Sequence, residues 1–233
     1  MTALKENLEQ LEEAISVACR AAGRARSEVE LMAVSKTHPA QTLMEAASLG
    51  LTLFGENRVQ EFAGKSAALA NLAGAEWHMI GHLQTNKSGK AVELFNAVDS
   101  VDSVKLSEKL NAAAQALGKK LAVLIEINVG GEAAKSGVAA RSAELEALLQ
   151  AVPRLESLSV RGLMTVPPFT DDPEGARPYF RTLRELRDAI SGRKLPGVSM
   201  DVLSMGMSHD FGVAIDEGST CVRVGTAIFG ERE

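Results

Sequence analysis

The chain has 233 residues, 45% hydrophobic and 24% charged, which is enough apolar material for a sizeable core and excludes a disordered composition. Thirty acidic residues against 25 basic ones give a net charge of -5, which excludes a broad nucleic-acid footprint but leaves room for a local anion site. No apolar run approaches the roughly 18 residues of a membrane span, Cys19 and Cys221 lack metal-ligand spacing, and the start MTALKENLEQ has no signal-peptide core. A reduced, cytoplasmic protein is therefore expected.

Residues 3 to 22 place Leu4, Leu8, Leu11, Ile15 and Ala18 at helical steps up to Gly23, so a helix precedes any strand. Leu31 to Ser35 then read as a short buried strand, and Pro39 opens a helix at Gln41 to Ser48. Strands follow at Leu51 to Phe54, Trp77 to Ile80 and Ala97 to Ser100, and the most β-like run is Leu121 to Val129. Leu158 to Met164, Val198 to Leu203 and Cys221 to Val224 complete eight strands, with helices around Val104 to Leu117, Leu145 to Leu149 and Glu174 to Ile190. Eight strands separated by helices imply parallel pairing and favour a closed (β/α)8 TIM-type barrel with an extra N-terminal helix, a single domain over 1–233.

In such a barrel the polar clusters after the strands converge on one face: Lys36, Asn57, His78 to Lys87, Lys135, Ser204 to Ser208 and Arg223 to Thr226. Lys36 stands at the end of a buried strand. Loss of hydration there should lower its pKa and free a nucleophilic, Schiff-base-forming amine; the alternative is a solvated strand-end lysine. The loops SMGMS and GTA, after strands seven and eight, supply small residues and hydroxyls where barrels of this class bind phosphate, although the same residues serve ordinary turns. Alternation along Val222-Arg223-Val224 turns Arg223 inward, as it does Glu126, so Arg223 either pairs with Glu126 or donates to a ligand acceptor such as a ring nitrogen. Four histidines without paired carboxylate spacing make no metal site, and no G-x-S-x-G elbow is present.

Seven segments in order carry a resemblance: VSKTHPA at 34–40, FGENRVQEF at 54–62, WHMIGHLQTNK at 77–87, KSG at 135–137, RGLMTVPP at 161–168, LSMGMSHD at 203–210 and VRVGTAIFGER at 222–232. Together they resemble the pyridoxal phosphate homeostasis protein family. The resemblance implies a barrel similar to the amino-terminal domain of alanine racemase, with Lys36 forming an imine with pyridoxal 5′-phosphate. It also implies that Ser204, Gly206, Gly225 and Thr226 serve the phosphate, Arg223 the pyridine nitrogen and Asn57 the cofactor wall. No catalytic or metal residue is implied. The expected function is a cofactor carrier without turnover, a monomer or weak homo-oligomer whose further partners are apo enzymes that use pyridoxal phosphate. The alternatives are a small racemase-like enzyme, or a phosphate-binding barrel using Lys36 for aldolase-type chemistry. The chain ends about nine residues after the eighth strand, so the further domain of a racemase-like enzyme is expected to be absent. Tyr179 is expected to pack on a helix, leaving His78 or His82 as a conceivable second acid–base group.

Overall fold

A computed structural model describes residues 2–132 and 136–230. The strands are β1 (Glu30–Val34), β2 (Leu53–Glu56), β3 (Glu76–Met79), β4 (Ala97–Val101), β5 (Leu121–Asn128), β6 (Val138–Ala139), β7 (Leu158–Met164), β8 (Val198–Ser204) and β9 (Cys221–Val224). Around them run α1 (Ala3–Ala21), α2 (Ala40–Ser48), α3 (Val59–Leu69), α4 (Ser88–Leu94), α5 (Val104–Ala116), α6 (Ala143–Ala151), α7 (Arg177–Gly192), α8 (Phe211–Asp216) and α9 (Thr226–Phe229). The neighbour order β4-β3-β2-β1-β9-β8-β7-β5, closed by a β4–β5 pairing, makes a parallel barrel of eight strands. The two-residue β6 adds to the carboxyl end of β5 and lies outside that cycle.

The expected barrel and its extra first helix are both present, and two boundaries moved for physical reasons. Leu51 caps α2 through its N–H to Ala46 O, so β2 starts at Leu53 and runs through Gly55 and Glu56, which read as a polar turn. Glu56 is nevertheless fully buried, because α3 brings Lys65 to it. Before α7, Pro173 opens a 3₁₀ turn over Pro173–Ala176, which delays the helix to Arg177.

Alternation divides the strand residues between two cores. Phe54, Trp77, Val98, Val123, Leu163, Leu203 and Val222 face the helices, and Phe54 stacks on Trp77 at 4.6 Å. Met32, Gly55, His78, Asp99, Leu124, Glu126, Ser204 and Arg223 take the opposite parity, toward the barrel interior. The last two helices are short, six and four residues. The buried stripe of α1, Leu4, Leu8, Leu11, Ile15 and Cys19, lies across both of them, and Asn7 Nδ2 donates to Ile228 O at 3.1 Å.

Gly162 lies opposite Val202 where β7 pairs with β8. A Cβ there would collide with the backbone carbonyl of Val202. Gly162→Ala must therefore push the strands apart and is expected to cost about 1–3 kcal/mol. Urea unfolding checks this, with a lowered midpoint and an unchanged denaturant slope.

Candidate functional site

Strand β1 ends at Val34, and Ser35 to His38 turn the chain into α2. Lys36, half-buried, keeps the inward parity of Val34. It lines a cavity of about 230 Å³ at the carboxyl ends of β1, β8 and β9, together with His38, Met207, Ser208, His209, Arg223, Gly225 and Thr226. The sheet explains this meeting, since β1 and β9 are neighbours with Met32 opposite Arg223. The cavity thus combines one amine, one guanidinium and a rim of small and hydroxylated residues. That set suits an anionic ligand carrying an electrophilic carbon.

The turn bearing Lys36 is held from outside the barrel. Glu56 Oε1 accepts from Lys65 Nζ at 2.7 Å and from Ser35 Oγ at 2.6 Å, while Lys65 also donates to Ser35 O and His38 O, both at 3.1 Å. Burial raises the Glu56 pKa, and the hydrogen bonds from Lys65 and Ser35 draw it back only in part.

Arg223 faces inward as parity requires and is 4% exposed, but it does not pair with Glu126. Its terminal nitrogens donate to Ser204 Oγ and Thr165 O, each at 2.7 Å. Both acceptors are neutral. Burial lowers the Arg223 pKa, opposed by the carboxylates of Asp99, Glu126 and Asp210 acting at a distance. Glu126 instead accepts from Ser136 Oγ at 2.8 Å, and its buried Oε2 meets no hydrogen-bond partner among the described residues. Burial raises the pKa of Glu126 and of Asp210, whose Oδ1 accepts from Met207 N–H at 2.6 Å. The Cys221 thiol, fully enclosed, is pushed up to about 12 by burial, with Asp99 adding to it, and stays protonated.

Of the expected positions, Lys36, Arg223, Gly225 and Thr226 come together on the cavity wall. Ser204 and Gly206 are not among the residues that line this cavity and lie directly behind it. Ser204 is fully buried as the acceptor for Arg223, and Gly206, at φ +95°, accepts the Arg223 N–H at 2.9 Å. A Cβ on Gly206 would come within 2.5 Å of Ala214 Cβ, so bulk there strains the fold. Asn57 borders a neighbouring cavity of about 340 Å³ with His82, Glu126, Asn128 and Ser136.

His78 was expected at a strand exit on the ligand face but belongs to the opposite mouth. There it shares a cavity with Glu30, Glu76 and Asp99 and meets Asp99 Oδ2 through Nδ1 at 3.1 Å. Burial alone would lower its pKa, but Asp99, Glu76 and Glu30 together raise it. His82 is exposed and pairs with Asp102 at 3.3 Å. Tyr179 lies on α7 and does not line the Lys36 cavity, and Lys135 falls outside the described residues. Sequence reading assigned no role to His38 or His209, although both follow strands that feed the site. His38 packs on the Phe229 ring at 4.6 Å, and His209 Nε2 lies 3.2 Å from Asp171 O. Among the described residues no group of His, Cys, Asp or Glu could hold a metal ion, and no helix is long and apolar enough to cross a membrane.

Residues 3–233 match the family described as alanine racemase, N-terminal domain. The pyridoxal phosphate homeostasis protein of Aquifex aeolicus is 45% identical over 228 residues, covering 98% of each chain. Among solved structures, PipY of Synechococcus elongatus PCC7942 with PLP bound is 36% identical with a TM-score of 0.85, covering 97% of this chain and all of that one. Alanine racemase from Streptomyces coelicolor shares the fold at a TM-score of 0.73 and 22% identity, with 58% of its length covered.

The buried carboxyl of Glu126 has a testable pH signature. A raised folded-state pKa means that the proton is held more tightly folded than unfolded. The associated stability is fully present below the ordinary value of 4.5 and lost as pH rises through the raised one. Glu126→Gln is therefore expected to raise the melting temperature near neutral pH, with an advantage that shrinks toward zero below 4.5. Melting curves across that range check it.

Proposed function

The chain belongs to the alanine racemase N-terminal domain family, among the pyridoxal phosphate homeostasis proteins, and we propose from this that it binds pyridoxal 5′-phosphate in the Lys36 cavity and buffers or delivers it. The observation that carries the reading is the meeting of an amine, a buried guanidinium and a small-residue rim on one cavity wall. These residues fit the cofactor. Lys36 would attach to its aldehyde carbon, Ser208, Gly225 and Thr226 would receive its phosphate, and Asn57 would border its outer side. Thr226 opens the short helix α9, whose first backbone hydrogen bond comes from Ile228, so the Thr226 and Ala227 amides stand at the helix start.

When bound, the cofactor supplies an aldehyde that bonds to amines and a ring that withdraws electrons. Arg223 would donate to the ring nitrogen with an N–H it does not readily surrender, keeping that nitrogen unprotonated and the withdrawal weak. Two of its five donors are committed to Ser204 and Thr165, which fixes the guanidinium plane. This favours holding the cofactor over carbanion chemistry, in a cytoplasmic single-domain protein that passes it to apo enzymes. A racemase-like reading keeps one specific support, since His38 and His209 both line the cavity and offer acid–base groups besides Lys36.

Two experiments test the proposal. Borohydride treatment of the cofactor-loaded protein is expected to fix label on the peptide containing Lys36, and Lys36→Ala to remove the corresponding visible band. Label confined to Lys65 or Lys87 would overturn the assignment. Incubation with single-enantiomer amino acids in deuterated water separates carrier from enzyme. The carrier reading expects no α-deuterium above that produced by free cofactor, and robust incorporation lost in Lys36→Ala would make the protein a small enzyme.

A further inference from the structure

We propose that Lys65 is a positioning residue, whose buried pair with Glu56 holds the Lys36 amine toward the cavity and sets how slowly the cofactor leaves. The proposal rests on the Lys36 attachment argued above. None of Glu56, Glu61 and Lys65 lines the Lys36 cavity, and Lys65 reaches the turn from α3, on the helical side of β2. Its ammonium has three donors, and the structure gives it three close acceptors: Glu56 Oε1 at 2.7 Å, Ser35 O at 3.1 Å and His38 O at 3.1 Å. The two carbonyls bracket Lys36 and Thr37. Fixing both peptide units fixes the direction in which the Lys36 side chain leaves the backbone.

The enclosed turn is strained. Thr37 has φ +69°, a conformation that a β-branched residue adopts only under constraint. Glu61 supplies part of that constraint by accepting the Thr37 N–H at 2.5 Å while lying 3.5 Å from Lys65. Ser35 Oγ donates to the same Glu56 oxygen as Lys65, so the carboxylate holds a side chain of the turn directly and its backbone through Lys65. Glu56 is fully buried and Lys65 is 10% exposed, a placement in which an ion pair is no more stabilising than well-packed apolar side chains of similar volume. What the pair adds is orientation. Without it, the strain at Thr37 would relax by rotating the 36–37 peptide and carrying the amine away from the cavity.

The test uses the full chain loaded with pyridoxal phosphate. The double variant Glu56→Gln/Lys65→Met removes both charges and leaves no orphaned buried ion. Its fold is monitored by melting temperature, and its cofactor release by transfer to an excess of an apo aminotransferase. Release is expected to quicken by roughly tenfold to a hundredfold, as for a reacting group displaced by about 1 Å. The pH midpoint of the visible band should also shift, while affinity for pyridoxine phosphate, which has the phosphate but no aldehyde, stays unchanged. A folded variant with unchanged release rate and band midpoint would overturn the clamp. So would a parallel loss of pyridoxine phosphate binding, because the cavity itself would then have collapsed. Should the double variant fail to fold, Glu61→Gln weakens the hold on Thr37 N–H and is expected to quicken release by a smaller factor; unchanged release there overturns the proposal equally. A parent protein that takes no borohydride label at Lys36 overturns the attachment and the clamp together, whereas a labelled parent with unaltered variants overturns the clamp alone.

Discussion

A buried guanidinium held by two neutral acceptors is the constraint on which the ligand end of the barrel depends. Arg223 cannot be left unsatisfied in a low-dielectric interior, so Ser204 Oγ and Thr165 O must hold it, and the loop after β8 must bring Gly206 O to its backbone N–H. Asp99, Glu126 and Asp210 share its counter-charge without touching it. An arginine locked to one carboxylate would have its charge largely cancelled. Neutral acceptors leave Arg223 both fixed and electrostatically active toward whatever enters beside Lys36.

The same alternation that faces Arg223 inward also makes the barrel polar at both ends. Met32, Leu124 and Val202 lie between the mouths, while Glu30, Glu76, His78 and Asp99 gather at the amino-terminal one. The Lys36 cavity is therefore one of two polar regions. It differs in having an amine at a strand end and a rim of glycine, serine and threonine, which the other mouth lacks.

The sequence revealed the barrel because eight apolar runs with interleaved helical stripes leave few other topologies. It revealed the inward turn of Arg223 because parity is rigid within a strand. Parity could not say which neutral groups would meet the guanidinium, and the plausible partner Glu126 proved to bond Ser136. Ser204 ends β8 and Gly206 follows it at positive φ, so that Met207 and Ser208 rather than these two line the cavity, and no spacing rule shows where such a turn falls. Glu56 looked like part of a polar turn because its cover, Lys65, comes nine residues later from a helix. His78 was misplaced because the boundaries of a four-residue strand decide at which mouth a residue stands.

Lys36, just past β1, and Arg223, on β9, belong to strands that are adjacent in the sheet but far apart along the sequence. The Lys36 cavity is therefore a seam. Because β1 has no neighbour on that side until β9 exists, a chain emerging from the ribosome carries Lys36 early but cannot assemble the cavity until almost all of it has been made. Pairing across so long a stretch of chain is entropically expensive and slow to form, and α1, lying over the last two helices, adds a second contact between the same two ends. A ligand that touches both sides of this seam would stabilise the closed barrel in proportion to its free concentration. The abundance of such a ligand would then be felt as resistance of the protein's own ends to opening.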